Sequence, residues 1–344
     1  YNHCTFQCGR ILAEGEEYER PRRHYQAYVS RNREGSNIPL AVYWIGVSLW
    51  NTGETEGAMR YYRDAVALYG ADPAGMGIDM ILDEWVGRTR RAMPEASESA
   101  WQDLRELLDR SEAEGNQTLV LRLKRVLLFQ PELKPSRKNR LVADLLKEEN
   151  LEAASPAVLQ AMLGYAQERE LQDFAFKVSG HMVDRFPETD YALDARMVLA
   201  RYAIERAREA GTRGDRDRHY GEAAKHLGVV REVRASSPEA AEALILLGGI
   251  HSEQRRFEEA DEAYKSVLGV RAWRNYWPEA LYGRGECAFQ HRNYEVASAY
   301  YERIYVLYSH YADWTARAYL RRAECLKRMY QPDKAAEVIR EMLE

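Results

Sequence analysis

The chain has 344 residues, 46% hydrophobic and 30% charged, with a formal net charge of −5. That balance belongs to a folded chain in water: no run of about 18 apolar residues is there to span a bilayer. The charge argues against a nucleic-acid partner, which needs a basic face to neutralise phosphates; the basic clusters at 20–24, 88–91 and 137–140 sit beside acidic sequence and read as solvated helix ends.

Small residues recur at a fixed interval. Gly9 to Gly46 is 37 residues, Gly248 to Gly285 is 37 and Gly285 to Ala323 is 38, a period that marks stacked two-helix repeats. In such a unit helix A crosses helix B where two small side chains meet, and bulkier residues later in helix B fill the space beside the next helix A. The first unit supplies Gly9, Pro21, Tyr25 and Tyr28; Pro21 departs from the small-residue rule but is tolerated in a first helical turn. The second supplies Gly46, Ala58, Tyr62 and Ala65.

Over 74–155 the period fades while helical spacing persists. Ile78, Ile81, Leu82, Trp85 and Val86 share one face; so do Trp101, Leu104, Leu107 and Leu108; so do Leu123, Val126 and Leu127; so do Leu141, Val142, Leu145 and Leu146. Pro94, Gly115 with Asn116, Pro131 with Pro135, and Pro156 separate them, so these are four helices of degenerate repeats. Leu163, Ala175, Ser179 and Met182 resume the pattern, followed by Ala200, Ala223, Leu227 and Val230. In that last unit the helix A to helix B distance is stretched by eleven residues, and a glycine-rich, charged surface loop is expected near 211–219. Gly248, Ala260, Tyr264 and Val267, then Gly285, Ala297, Tyr301 and Ile304, then Ala323, Ala335, Ile339 and Met342 complete the series. No useful β alternation occurs. The expected fold is all-α, a right-handed solenoid of antiparallel helix pairs in three stretches, 1–73, 74–155 and 156–344.

These consensus positions resemble those of the tetratricopeptide repeat family. The joints at 185–202 (RFPETDYALDARMVLARY) and, more loosely, 308–326 are similar to those of bacterial envelope members, the β-barrel assembly lipoprotein and the Tol-Pal-associated coordinator. The resemblance implies a scaffold of the periplasm or cell envelope that binds a protein partner. A regulatory or targeting segment of a larger cytoplasmic enzyme or signalling protein is the alternative, and the absence of an initial methionine at Tyr1 reads as a piece of a longer chain.

In this repeat type one face of helix A lines the groove, which makes Leu40, Tyr43, Val47, Trp50 and Asn51 an apolar, aromatic candidate wall. Farther on the same register gives Glu279, Tyr282, Glu286, Phe289 and Gln290, then Arg317, Leu320, Glu324, Lys327 and Arg328. A partner peptide or helix is expected there. Trp273, Tyr276 and Trp277 form a second aromatic candidate beside a joint. No phosphate-binding glycine loop, HExxH, G-x-S-x-G or CxxC is present, so neither catalysis, a metal nor a cofactor is expected. Cys4, Cys8, Cys287 and Cys325 read as small, buried thiols rather than a redox pair.

Overall fold

The computed structural model describes residues 18–32, 37–72, 76–91, 94–131 and 133–343. Gly9, Cys4 and Cys8 lie outside the described residues. Among those described, the chain forms α-helices and two short 3-10 turns, with no strand.

Two compact units divide after Ala195. The first holds α1 (Glu19–Arg31), α2 (Ile38–Asn51), α3 (Thr55–Tyr69), α4 (Met76–Arg91), α5 (Pro94–Ala113), α6 (Gln117–Leu127), α7 (Pro135–Leu145), α8 (Pro156–Glu168) and α9 (Gln172–Arg185). The division falls within α10 (Asp190–Glu209). The second unit continues with α11 (Arg213–Val233), α12 (Pro238–Glu253), α13 (Phe257–Leu268), α14 (Trp277–Gln290), α15 (Tyr294–Leu307), α16 (Ala312–Arg328) and α17 (Pro332–Leu343). One apolar cluster runs from Tyr25 to Leu141, because α4 lies directly on α2: a Cβ at Gly77 would stand 2.5 Å from the backbone nitrogen of Leu40.

The repeat lock is a tyrosine ring laid over a glycine. A Cβ on Gly285 would meet Cε1 of Tyr301 at 2.6 Å, and one on Gly248 would meet Cε1 of Tyr264 at 2.7 Å; Gly46 faces Tyr62 in the same way. Ala58, Ala260 and Ala297 are fully buried at the matching crossings. The ring of Tyr264 also lies against Gly283, so one side chain ties a helix pair to the following helix A.

The turn inside six of the helix pairs is equally regular. Six turns of three residues place the middle one in the left-handed region: Gly53, Gly115, Glu170, Arg255, Arg292 and Tyr330. In each, the following amide donates back to the carbonyl five residues earlier, as in Glu54 to Leu49 (2.9 Å), Asn116 to Ser111 (3.0 Å) and Asn293 to Ala288 (2.9 Å). These are Schellman closures of helix A. The second of them shows that α5 and α6 are a helix pair within the degenerate stretch.

Next to that pair, charge replaces small-residue packing. Arg122, 0% exposed, donates to both carboxylate oxygens of Asp79 at 3.3 Å and to the carbonyls of Gly70 (2.9 Å) and Asp72 (2.7 Å). Asp79 also accepts from Ser155 at the start of α8, and Arg125 pairs with Asp83 at 2.8 Å. Thus α4, α6 and α8 are fastened by a buried ionic network.

The charged loop expected near 211–219 is absent. Only 210–212 lie outside helix, and α11 begins at Arg213. Thr212 caps it, accepting from the amide of Asp215 at 3.1 Å; charges pair along its face as Arg213 with Asp217 and Asp215 with Arg218, and the His219 ring stands at 3.2 Å from Glu222. The extra residues lengthen two helices instead.

Candidate protein-interaction surface

In the first unit, α2 turns Leu40, Tyr43 and Trp50 to half-buried positions, whereas Val47 is 9% exposed and belongs to the interior. Asn51 is exposed and its amide donates back to the Val47 carbonyl at 2.9 Å. The neighbouring α4 supplies what the sequence reading missed: Arg88, ion-paired with Glu84, lays its guanidinium 4.5 Å from the Trp50 ring centre. Burial raises the pKa of the Tyr43 hydroxyl, Glu84 adds to the rise and Arg88 opposes it. The patch is therefore aromatic with a charged edge, since Glu84 and Arg88 share a helical face with the exposed Met80.

In the second unit, the expected wall residues of α14 are held by α16. Arg321 grips Glu286 with both arms, Nε to Oε1 at 2.6 Å and Nη2 to Oε2 at 2.7 Å, and the Tyr301 hydroxyl donates to the same Oε1 at 2.6 Å. That bidentate pairing is the stronger kind of charged hydrogen bond. The same guanidinium stands 4.2 Å from the Phe289 ring centre, and Tyr282 packs between Tyr301 and Trp314 at 5.5 and 5.4 Å. Glu286 and Phe289 are thus engaged within the fold. Arg321 gave no signal in the consensus, because its position is equivalent to Gly283 of the previous unit.

What stays open on this row is α16 itself. Leu320 is 53% exposed, one turn from Arg317, whose guanidinium lies 5.0 Å from the Trp314 ring centre. Lys327 is exposed and makes no ion pair among the described residues; Arg328 is exposed and bound to Glu324 at 3.0 Å. Glu279 on α14 has its pKa raised by burial and by Glu242, against the pull of Arg317. Earlier in the row, Arg201 pairs with Glu242 and Arg208 with Glu253.

Of the second aromatic candidate, Trp273 belongs to the interior. Trp273 is 4% exposed, within a cluster of α12, α13 and α14, and its indole N–H points to the Ser236 carbonyl at 3.4 Å. Tyr276 and Trp277 are half-buried against the same cluster. They close the joint, which needs bulk because six residues of 3-10 turn (Arg271–Tyr276) precede α14.

Burial pushes the thiol pKa of Cys287 up to about 12 and that of Cys325 up to about 11, so both stay protonated at neutral pH. Among the described residues no group of three or more His, Cys, Asp or Glu side chains is placed to hold a metal, and no helix is long and apolar enough to cross a membrane.

Paired helices locked by glycine and tyrosine, with a row of A helices presenting side chains, define a helical repeat protein. The tetratricopeptide repeat model matches residues 9–73, 204–276 and 251–312, just over half of the chain. The chain belongs to the tetratricopeptide repeat family, a fold that serves as a scaffold for protein partners. Solved structures similar to it include a thermophilic tetratricopeptide repeat protein of Thermus thermophilus (17% identity, 66% of this chain and 98% of that one, TM-score 0.41). The human IFIT1 dimer with m7Gppp-AAAA is also similar (12%, 100% and 90%, TM-score 0.43), as is a tetratricopeptide repeat protein of Parabacteroides merdae (9%, 100% and 99%, TM-score 0.30). No curated protein matches the sequence significantly.

Proposed function

We propose that this chain is a non-enzymatic scaffold whose A-helix rows bind a segment of a partner protein. The observation that carries this reading is the open face of α16, where an exposed Leu320 stands between the cations Arg317 and Lys327. A peptide or helix with an apolar side chain for Leu320 and carboxylates on either side matches it in shape and sign. In the first unit, Leu40, Tyr43 and Trp50 give an aromatic counterpart suited to an apolar anchor. The joint motif at 185–202 supports a place in a bacterial envelope, a reading that fractionation of the native host tests directly.

The test uses the parent chain and two variants, Trp50→Ala and the double variant Arg317→Glu with Lys327→Glu, as baits for crosslinking and mass spectrometry. Proteins captured by the parent should be lost or strongly reduced with at least one variant of unchanged circular dichroism. An identical set from all three baits would move binding off both rows.

A further inference from the structure

Between α11, α12 and α13 lies a cavity of about 400 Å³ that the A-helix row does not use. Its floor is Leu244 and Leu247, each 7% exposed, with Ala263; Glu258, Glu259 and Glu262 of α13 stand along one side and Arg231 of α11 on the other. On α12, Leu244, Leu247 and His251 lie about half a turn away from Glu242, the residue paired with Arg201. The cavity therefore opens on the opposite side of α12 from the row.

Its charge is one-sided. Three carboxylates and the Arg231 guanidinium line it, and the Arg256 guanidinium stands at 2.5 Å from Nδ1 of His251, whose pKa is lowered by burial and then by Arg256 against the pull of Glu259. The carboxylates are only lightly held: Glu262 meets Lys265 at 2.9 Å and Glu258 meets His291 at 3.7 Å, with each of these glutamates mostly exposed. Exposed pairs of this kind contribute little and exchange readily.

We propose that this cavity docks a basic segment of a partner protein. The aliphatic stem of an arginine or lysine lies along Leu244, Leu247 and Ala263, and its cationic head sits among Glu258, Glu259 and Glu262. Long cationic side chains combine an apolar stem with a charged tip, which is the pairing this floor and rim ask for. An acidic segment meets repulsion here, and a purely apolar one leaves the carboxylates desolvated without compensation. This site is independent of the A-helix reading.

The test is fluorescence anisotropy of the full chain with a labelled synthetic peptide of alternating leucine and arginine, and with its leucine–glutamate counterpart. The basic peptide should bind, more weakly as salt rises, while the acidic one should not. The triple variant Glu258→Gln, Glu259→Gln, Glu262→Gln should bind about tenfold more weakly. Neutralising the exposed Glu56, Glu188 and Glu295 instead makes the same change in net charge and should leave binding unaltered. Ala263→Phe, which fills the cavity, should abolish binding while circular dichroism stays unchanged. No binding by the parent, equal binding of the acidic peptide, or equal loss in the two neutralised variants would overturn the proposal.

Discussion

Replacing Gly285 by alanine tests the packing rule on which the repeats rest. The added carbon would stand 2.6 Å from Cε1, 2.9 Å from Cζ and 3.1 Å from Cδ1 of Tyr301, where unstrained carbon contacts lie at about 3.5–4.0 Å. The ring must retreat by about 1 Å, yet its hydroxyl is bound to Glu286 and its face packs on Tyr282. Overpacking costs about 1–3 kcal/mol, and loosening a hydrogen bond to a charged acceptor costs about 1–3 kcal/mol more. Against this, alanine gains up to about 1 kcal/mol over glycine inside a helix. The variant should therefore lose about 1–6 kcal/mol in urea unfolding followed by circular dichroism. In a Tyr301→Leu background the clash is gone, and the same change should be neutral or stabilising by up to about 1 kcal/mol. Equal effects in the two backgrounds, or a gain in the parent, would refute the glycine–tyrosine lock.

Three further outcomes are expected. Arg292→Gly and Tyr330→Gly should each stabilise by about 0.5–1 kcal/mol, because the left-handed conformation costs an ordinary residue about 1–2 kcal/mol and glycine gives back part of that in unfolded-chain entropy; a loss in thermal melts would count against the turn geometry. Arg122→Met should cost about 3–5 kcal/mol in urea unfolding by leaving Asp79 buried with weaker partners, and a cost below about 1 kcal/mol would show the network is not structural. Glu279→Gln bears on pH: the folded pKa of Glu279 is raised, so the folded chain holds more protons than the unfolded one between the two values, and ionisation above that window is a penalty. The variant should be more stable than the parent at neutral pH, with the difference closing as pH falls through the raised pKa toward the ordinary 4.5; a pH-independent difference would contradict this.

Sequence reading succeeded where a local steric rule leaves a residue signature. Gly46, Gly248 and Gly285 had to be small because a tyrosine sixteen residues later covers each of them, and both members of the pair stand at fixed offsets. The turns were legible in two cases of six: Gly53 and Gly115 carry the left-handed signal, while Glu170, Arg255, Arg292 and Tyr330 adopt the same conformation without a glycine to announce it. Asp79 and Arg122 carry no signal in the sequence, because nothing local reveals a partner 43 residues away. At 211–219 the glycines and charge density outweighed the Thr212 cap and the three- and four-residue charge spacings that make α11. On the candidate surface, repeat register placed Tyr282, Glu286 and Phe289 on one face, but it could not show that Arg321 of the next A helix closes over two of them.

Binding of partners along the A-helix rows is the proposal with most depending on it. Hydrogen–deuterium exchange of the full chain, alone and with a partner captured by crosslinking, measures this most directly. Exchange should slow in α2, in α16, or in both, with the B helices α3, α15 and α17 little changed. Protection confined to those B helices, with α2 and α16 exchanging as in the free chain, would contradict it.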